Sequence, residues 1–89
     1  MTEAMSASPM SIRVLLFARY AELLGQSELM LDLPAGATVR DAVDRIRALP
    51  GGALLPPRIL VARGVEQVGY DTGLAGSDEL AFLPPMSGG

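Results

Sequence analysis

The chain of 89 residues has room for one small domain with a modest core, and little left over for a deep catalytic pocket of its own. A net charge of −3, with seven scattered Arg and no Lys, does not suit it to a nucleic-acid surface, and no apolar run is long enough to span a bilayer. With neither Cys nor His it offers no thiol nucleophile, no imidazole acid–base group, no Cys/His zinc site and no disulfide, so the composition points to a chain that presents something to a partner.

Residues 1–11 are rich in Ser, Ala and Met, with Pro9, and lack the basic start and apolar centre of a secretory signal. They are expected to be a disordered N-terminal extension, and a cytoplasmic location is the default expectation. Ile12 to Phe17 (IRVLLF) reads as a buried strand. From Ala18 to Leu24, Tyr20, Leu23 and Leu24 recur at near-helical spacing, and Gly25 is a natural stop, which predicts one or two helical turns. Ser27 to Leu33 alternates, with Leu29, Leu31 and Leu33 on one side and Glu28, Met30 and Asp32 on the other, as in a half-buried strand.

The clearest helix is predicted over Val39 to Leu49. Thr38 is a good N-cap, and Asp41 three residues on makes a near capping box with negative charge in the first turn. Val39, Ala42, Val43, Ile46 and Leu49 form one apolar stripe, and Pro50-Gly51-Gly52 stops the helix. A loop with Pro56-Pro57 follows. Ile59 to Ala62 and Val65 to Val68 read as two strands reversing at Gly64, and Glu79 to Leu83 is the last strand. Pro84-Pro85 ends sheet pairing there, because neither residue can donate an N–H.

Strands wrapped on a single long helix, which must cover one sheet face, describe an α+β architecture of the β-grasp type. The expected organisation is an extension over 1–11, a β-grasp domain over 12–83 and an extended tail over 84–89. Fully extended, six residues reach roughly 20 Å, enough to enter another protein's cleft. The prolines stiffen the base of this tail and lower the entropy lost on capture. Gly88 and Gly89 can thread a channel too narrow for a side chain. The final carboxylate is then the tail's reactive group. It becomes an acyl donor once ATP converts it to an adenylate, and sulfide could displace AMP to leave a terminal thiocarboxylate, or a persulfide could displace AMP to give an acyl disulfide that a thiol then reduces to it.

The run FLPPMSGG resembles the C-terminal signature of the molybdopterin synthase small subunit, a ubiquitin-like sulfur carrier family, commonly F-x-P-P-x-[SA]-G-G. IRVLLFARYAELLG resembles that family's first strand and helix, LPAGATVRDAV its second turn and helix start, and GLAGSDELAFLPP its L-x-x-G-D-E-[VL]-A-F-x-P-P run. The similarity covers residues 12 to 89. It implies a non-catalytic sulfur-donating subunit whose Gly89 is adenylated by a ubiquitin-activating-type adenylyltransferase and then thiocarboxylated by way of a sulfur donor enzyme. No cofactor is implied on the chain itself, since the ATP is used by the activating enzyme, and no metal, nucleic-acid or membrane partner is implied. The tail would enter the molybdopterin synthase large subunit, in a heterotetramer of two small and two large subunits. There it would donate sulfur to cyclic pyranopterin monophosphate for molybdenum cofactor synthesis.

By the same resemblance the partner-contacting residues are Phe17, Phe82, Leu83, Pro84, Pro85, Met86, Ser87 and Gly88. Strand alternation requires one of Phe82 and Leu83 to face the core and the other to face outward. Phe17 is either a core residue or part of an exposed apolar patch. Three features depart from the family's pattern. Arg63 stands where Asn is usual, Ser77 is inserted into the usual G-D pair before Glu79, and the 51–58 loop carries two prolines. Two other readings share the diglycine: a sulfur carrier for thiamine or cysteine biosynthesis, and a ubiquitin-like modifier of target lysines. A noncovalent binding domain with incidental terminal glycines is a third.

Overall fold

The computed structural model describes residues 9–84. Strand β1 (Met10–Leu16) alternates as its sequence requires, with Ile12, Val14 and Leu16 buried. It begins two residues before the expected start. Met10 and Ser11 pair with Leu33 and Asp32 of β2 (Glu28–Leu33), and the Ser11 hydroxyl donates to Asp32 Oδ1 at 2.8 Å. The length of the partner strand, not the polarity of Ser11, therefore sets where β1 begins. Between the two strands lies helix α1 (Arg19–Leu24), which ends at Gly25 in the left-handed conformation, its N–H donating to the Ala21 carbonyl at 2.8 Å.

Helix α2 (Val39–Arg47) buries Val39, Ala42, Val43 and Ile46, the stripe seen in the sequence. Its start is fixed by Asp41, whose carboxylate accepts the Thr38 N–H at 2.8 Å. The helix stops two residues short of the expected Leu49, because Pro50 follows and Leu49 turns its N–H back to the Ile46 carbonyl at 3.0 Å. A single 3₁₀ turn (Gly52–Leu54) then fills part of the expected loop. It packs against both helices through its glycines. A Cβ on Gly52 would collide with the Ile46 carbonyl, and one on Gly51, which has φ +86°, with the Leu23 carbonyl. The Gly51-Gly52 pair is therefore a close-packing site as well as a helix stop.

Strands β3 (Leu60–Arg63) and β4 (Glu66–Val68) form the expected hairpin, and β5 (Glu79–Leu83) has the expected bounds. The five strands make one sheet in the order β2-β1-β5-β3-β4. β1 and β5 run parallel, and the other neighbours are antiparallel. Chain order and sheet order differ because β5 inserts between β1 and β3. This mixed sheet with α2 across one face is the β-grasp fold. The core lies between sheet and helix and joins Ile12, Val14, Leu16, Leu29, Leu31, Leu33, Val61, Leu80 and Phe82 to the α2 stripe and to Tyr20 of α1. Among the described residues no helix is long and apolar enough to cross a membrane, and no cluster of carboxylates could hold a metal ion.

Candidate functional site

The candidate site is the end of β5 and the chain that leaves it. β5 is the middle strand of five, paired with β1 on one side and β3 on the other. Phe82 stands between Leu16 and Val61 in the register, and Leu83 stands opposite Leu60. The segment that precedes the tail is thus held by two ladders at once. Pro84, half-buried, is where the described chain ends. Pro85, Met86, Ser87, Gly88 and Gly89 lie outside the described residues.

Within the described part, the expected contact residues divide. Phe82 is fully buried, so its side chain is not available to a partner; it is a core residue that anchors β5. Its place among the contact residues is corrected for that reason. Leu83 takes the outward position of the alternation and is half-buried. Phe17 is exposed at 43% and is not a core residue. The cause is local. Ala18 adopts φ 51°, ψ −123°, a conformation that L-residues rarely take, and this turns the chain sharply from β1 into α1 just after Phe17.

On the sheet face away from α2, the register sets half-buried Leu15, Ala81 and Ala62 in one row and Leu83 beside Leu60 in the next. Phe17 follows directly on the end of β1 at that edge. The result is an apolar band at the root of the tail, bordered by charge where Arg13 pairs with Glu28 at 3.1 Å and Glu79 at 3.4 Å. Sequence reading missed Leu15 and Leu60. Both lie in continuously apolar runs, where alternation gives no hint of which residues face outward.

Two of the departures from the family pattern meet in space. The Arg63 guanidinium donates to the Gly73 carbonyl at 3.1 Å and to Asp78 Oδ2 at 3.3 Å, and the same carboxylate oxygen accepts the Ala75 N–H at 2.9 Å. Ser77, with φ 73°, completes the tight turn that presents Asp78. Arg63 and the extended Gly76-Ser77-Asp78 turn are therefore one device, which ties the loop before β5 to the end of β3.

The model of the ThiS family matches residues 14–89. The chain belongs to the ThiS family. Its relatives carry more than one description. It is 34% identical over 88 residues to the molybdopterin synthase sulfur carrier subunit of Arabidopsis thaliana, across 98% of this chain and 92% of that protein. The subunit of the same description from Escherichia coli is 34% identical over 80 residues, across 88% of this chain and 99% of that protein. Small archaeal modifier protein 1 of Haloferax volcanii is 35% identical over 83 residues, across 83% of this chain and 95% of that protein. The crystal structure of SAMP1 from Haloferax volcanii superposes with a TM-score of 0.77 at 33% identity, covering 89% of this chain and 99% of that one.

Proposed function

We propose that the chain is the sulfur carrier subunit of a molybdopterin synthase, acting through a thiocarboxylate on Gly89. The observation that carries this reading is where the FLPPMSGG run sits. Its first residues, Phe82 and Leu83, lie on the central strand of the sheet, in a chain that resembles such subunits over nearly its whole length. The division of labour follows from the composition. A chain without Cys, His or Lys can carry an acyl group but has few side chains with which to do acid–base chemistry on a pterin. The catalytic groups are then the large subunit's, and the substrate is cyclic pyranopterin monophosphate held there. Two relatives are described as subunits, which supports an assembly, and the expected form pairs two small with two large subunits.

Charging needs two balanced steps. The Gly89 carboxylate attacks the α-phosphate of ATP on an adenylyltransferase and releases pyrophosphate, giving an acyl adenylate. Hydrosulfide attacks the acyl carbon, AMP leaves, and a proton is lost to give the thiocarboxylate. The test incubates the purified chain with its activating enzyme, ATP and a sulfide source and follows intact mass. The expected gain is the difference between one sulfur and one oxygen. The charged chain should convert the pterin substrate with the large subunit present, and one residue added after Gly89 should abolish both steps. A chain that is never charged, or that works with a blocked terminus, overturns the reading.

The identity to small archaeal modifier protein 1 favours a second reading, in which the same terminus is joined to lysines of other proteins. It predicts adducts of the chain on target proteins in place of sulfur transfer, and the same mass measurement separates the two.

A further inference from the structure

The ground around Pro84 includes more than the sheet. Pro84 forms one wall of an apolar cleft of about 360 Å³, with Arg19, Tyr20 and Leu23 of α1 and Leu54 and Pro56 of the loop after α2 as the others. Leu54 is 70% exposed, one of the few large apolar side chains this fold leaves in water. Among the described residues no acidic side chain lines the cleft, and the ion pairs involve Arg13, Arg40 and Arg63 but not Arg19. The cleft is therefore an apolar hollow with a positive rim.

Distance connects it to the tail. Five residues follow Pro84, and fully extended they reach roughly 17 Å. A partner that takes Gly89 to a catalytic centre inside its own fold has to seat its surface close around Pro84, within that radius. The cleft shares Pro84 and so falls beneath any such partner. We propose that it is a docking socket for the protein that accepts the tail, filled by a large apolar side chain of that partner with a carboxylate beside it. The apolar group packs against Tyr20, Leu23, Leu54 and Pro56, and the carboxylate meets the Arg19 guanidinium. The volume holds one or two such side chains, and the charge selects an acidic neighbour. This inference rests on the sulfur-carrier reading above, and it adds a second contact surface, on the helical side of Pro84, to the apolar band on the sheet.

The test uses the full-length chain and the purified molybdopterin synthase large subunit of the same organism, with affinity read by titration calorimetry. Leu54→Asp and Arg19→Glu should each weaken binding about tenfold or more while melting like the wild type, since both side chains are exposed. Val65→Asp, on the exposed β3–β4 turn, should bind as the wild type does. If the wild type binds and both cleft variants bind equally well, this inference is overturned and the carrier reading stands. If the wild type does not bind at all, the carrier reading fails and takes this one with it. Hydrogen exchange gives a further readout. Protection of residues 19–23 and 52–56 should appear on adding the large subunit. Protection already present in the free chain, and lost on deleting 85–89, would assign the cleft to the chain's own tail and overturn the proposal. Self-association that Leu54→Asp abolishes would assign it to a second copy, with the same consequence.

Discussion

Phe82 and Leu83 are adjacent in sequence, and the fold gives them opposite jobs, which a pair of alanine variants separates. Phe82 has no exposed surface and stands in the register between Leu16 and Val61, on the core face of the sheet. Truncating a buried Phe removes its transfer energy and leaves a cavity, together about 3–5 kcal/mol. A domain of this size has about 5–15 kcal/mol in total. The expected result for Phe82→Ala is a fall in Tm of about 12 °C or more, at about 4–8 °C per kcal/mol. Leu83 is half-buried on the other face, so Leu83→Ala loses about half of a full Leu burial, roughly 1 kcal/mol. Its larger effect should be on the partner, because its outward side chain lies in the apolar band at the root of the tail. Thermal melts by circular dichroism measure the first quantity. Calorimetric titration with the large subunit, run well below either Tm, measures the second. A Phe82→Ala chain that melts like the wild type but binds weakly would refute the assignment of core and contact.

Two further predictions concern the chain's own stability. Arg63→Met should cost about 1 kcal/mol in urea unfolding, discounted for side chains left 38% and 19% exposed in the Arg63–Asp78 pair. A double-mutant cycle with Asp78→Asn should return a coupling on the order of 0.5 kcal/mol, and a coupling of zero would show that the two departures from the family pattern act separately. The Tyr20 hydroxyl is buried without a hydrogen-bond partner among the described residues, so Tyr20→Phe should stabilise the fold by about 1 kcal/mol. Burial is also the main cause that pushes the Tyr20 phenol above its ordinary value of 10.0, with Tyr70 adding to the rise and Arg47 opposing it. The unfolded chain then ionises first as pH rises past 10.0, so wild-type stability should fall above that pH until the folded-state phenol also ionises. Tyr20→Phe should lack this part of the fall, and equal slopes for the two chains would refute it.

Where residues carry their own periodicity, the sequence was a good guide. β2 and α2 follow from the alternation of Leu29, Leu31 and Leu33 and from the Val39, Ala42, Val43, Ile46 stripe, and β5 from the stop at Pro84. Where the deciding fact lies in a distant segment, it was not. Met10 and Ser11 are strand because Leu33 and Asp32 lie opposite. Gly51 and Gly52 read as punctuation, yet a carbonyl from each helix fills the space a side chain would need. Arg63 and Asp78 are fifteen positions apart, and nothing but the β3–β5 pairing brings them together. The alternation at Phe82-Leu83 demanded one residue inside and one outside, but the choice between them depends on which face of the sheet α2 covers.

That choice bears on how the tail can work. A strand at a sheet edge is held by one ladder and frays readily, and a tail attached to it would leave from a moving base. Here β5 is central, its Leu80 and Phe82 are fully buried, and the Arg63–Asp78 tie fixes the loop that feeds it. The position of Pro84 is thus set by a strand held on both sides. A loosely held β5 would add the ordering of its own residues to the cost of capture, at about 1–2 kcal/mol of backbone entropy each. It follows that loosening β5 without unfolding the domain should weaken tail capture even when the tail sequence is intact. Asp78→Asn, which weakens the Arg63–Asp78 tie on the loop that feeds β5 and leaves both the apolar band and the tail sequence unchanged, is the variant that isolates this effect, and calorimetric titration with the large subunit measures it.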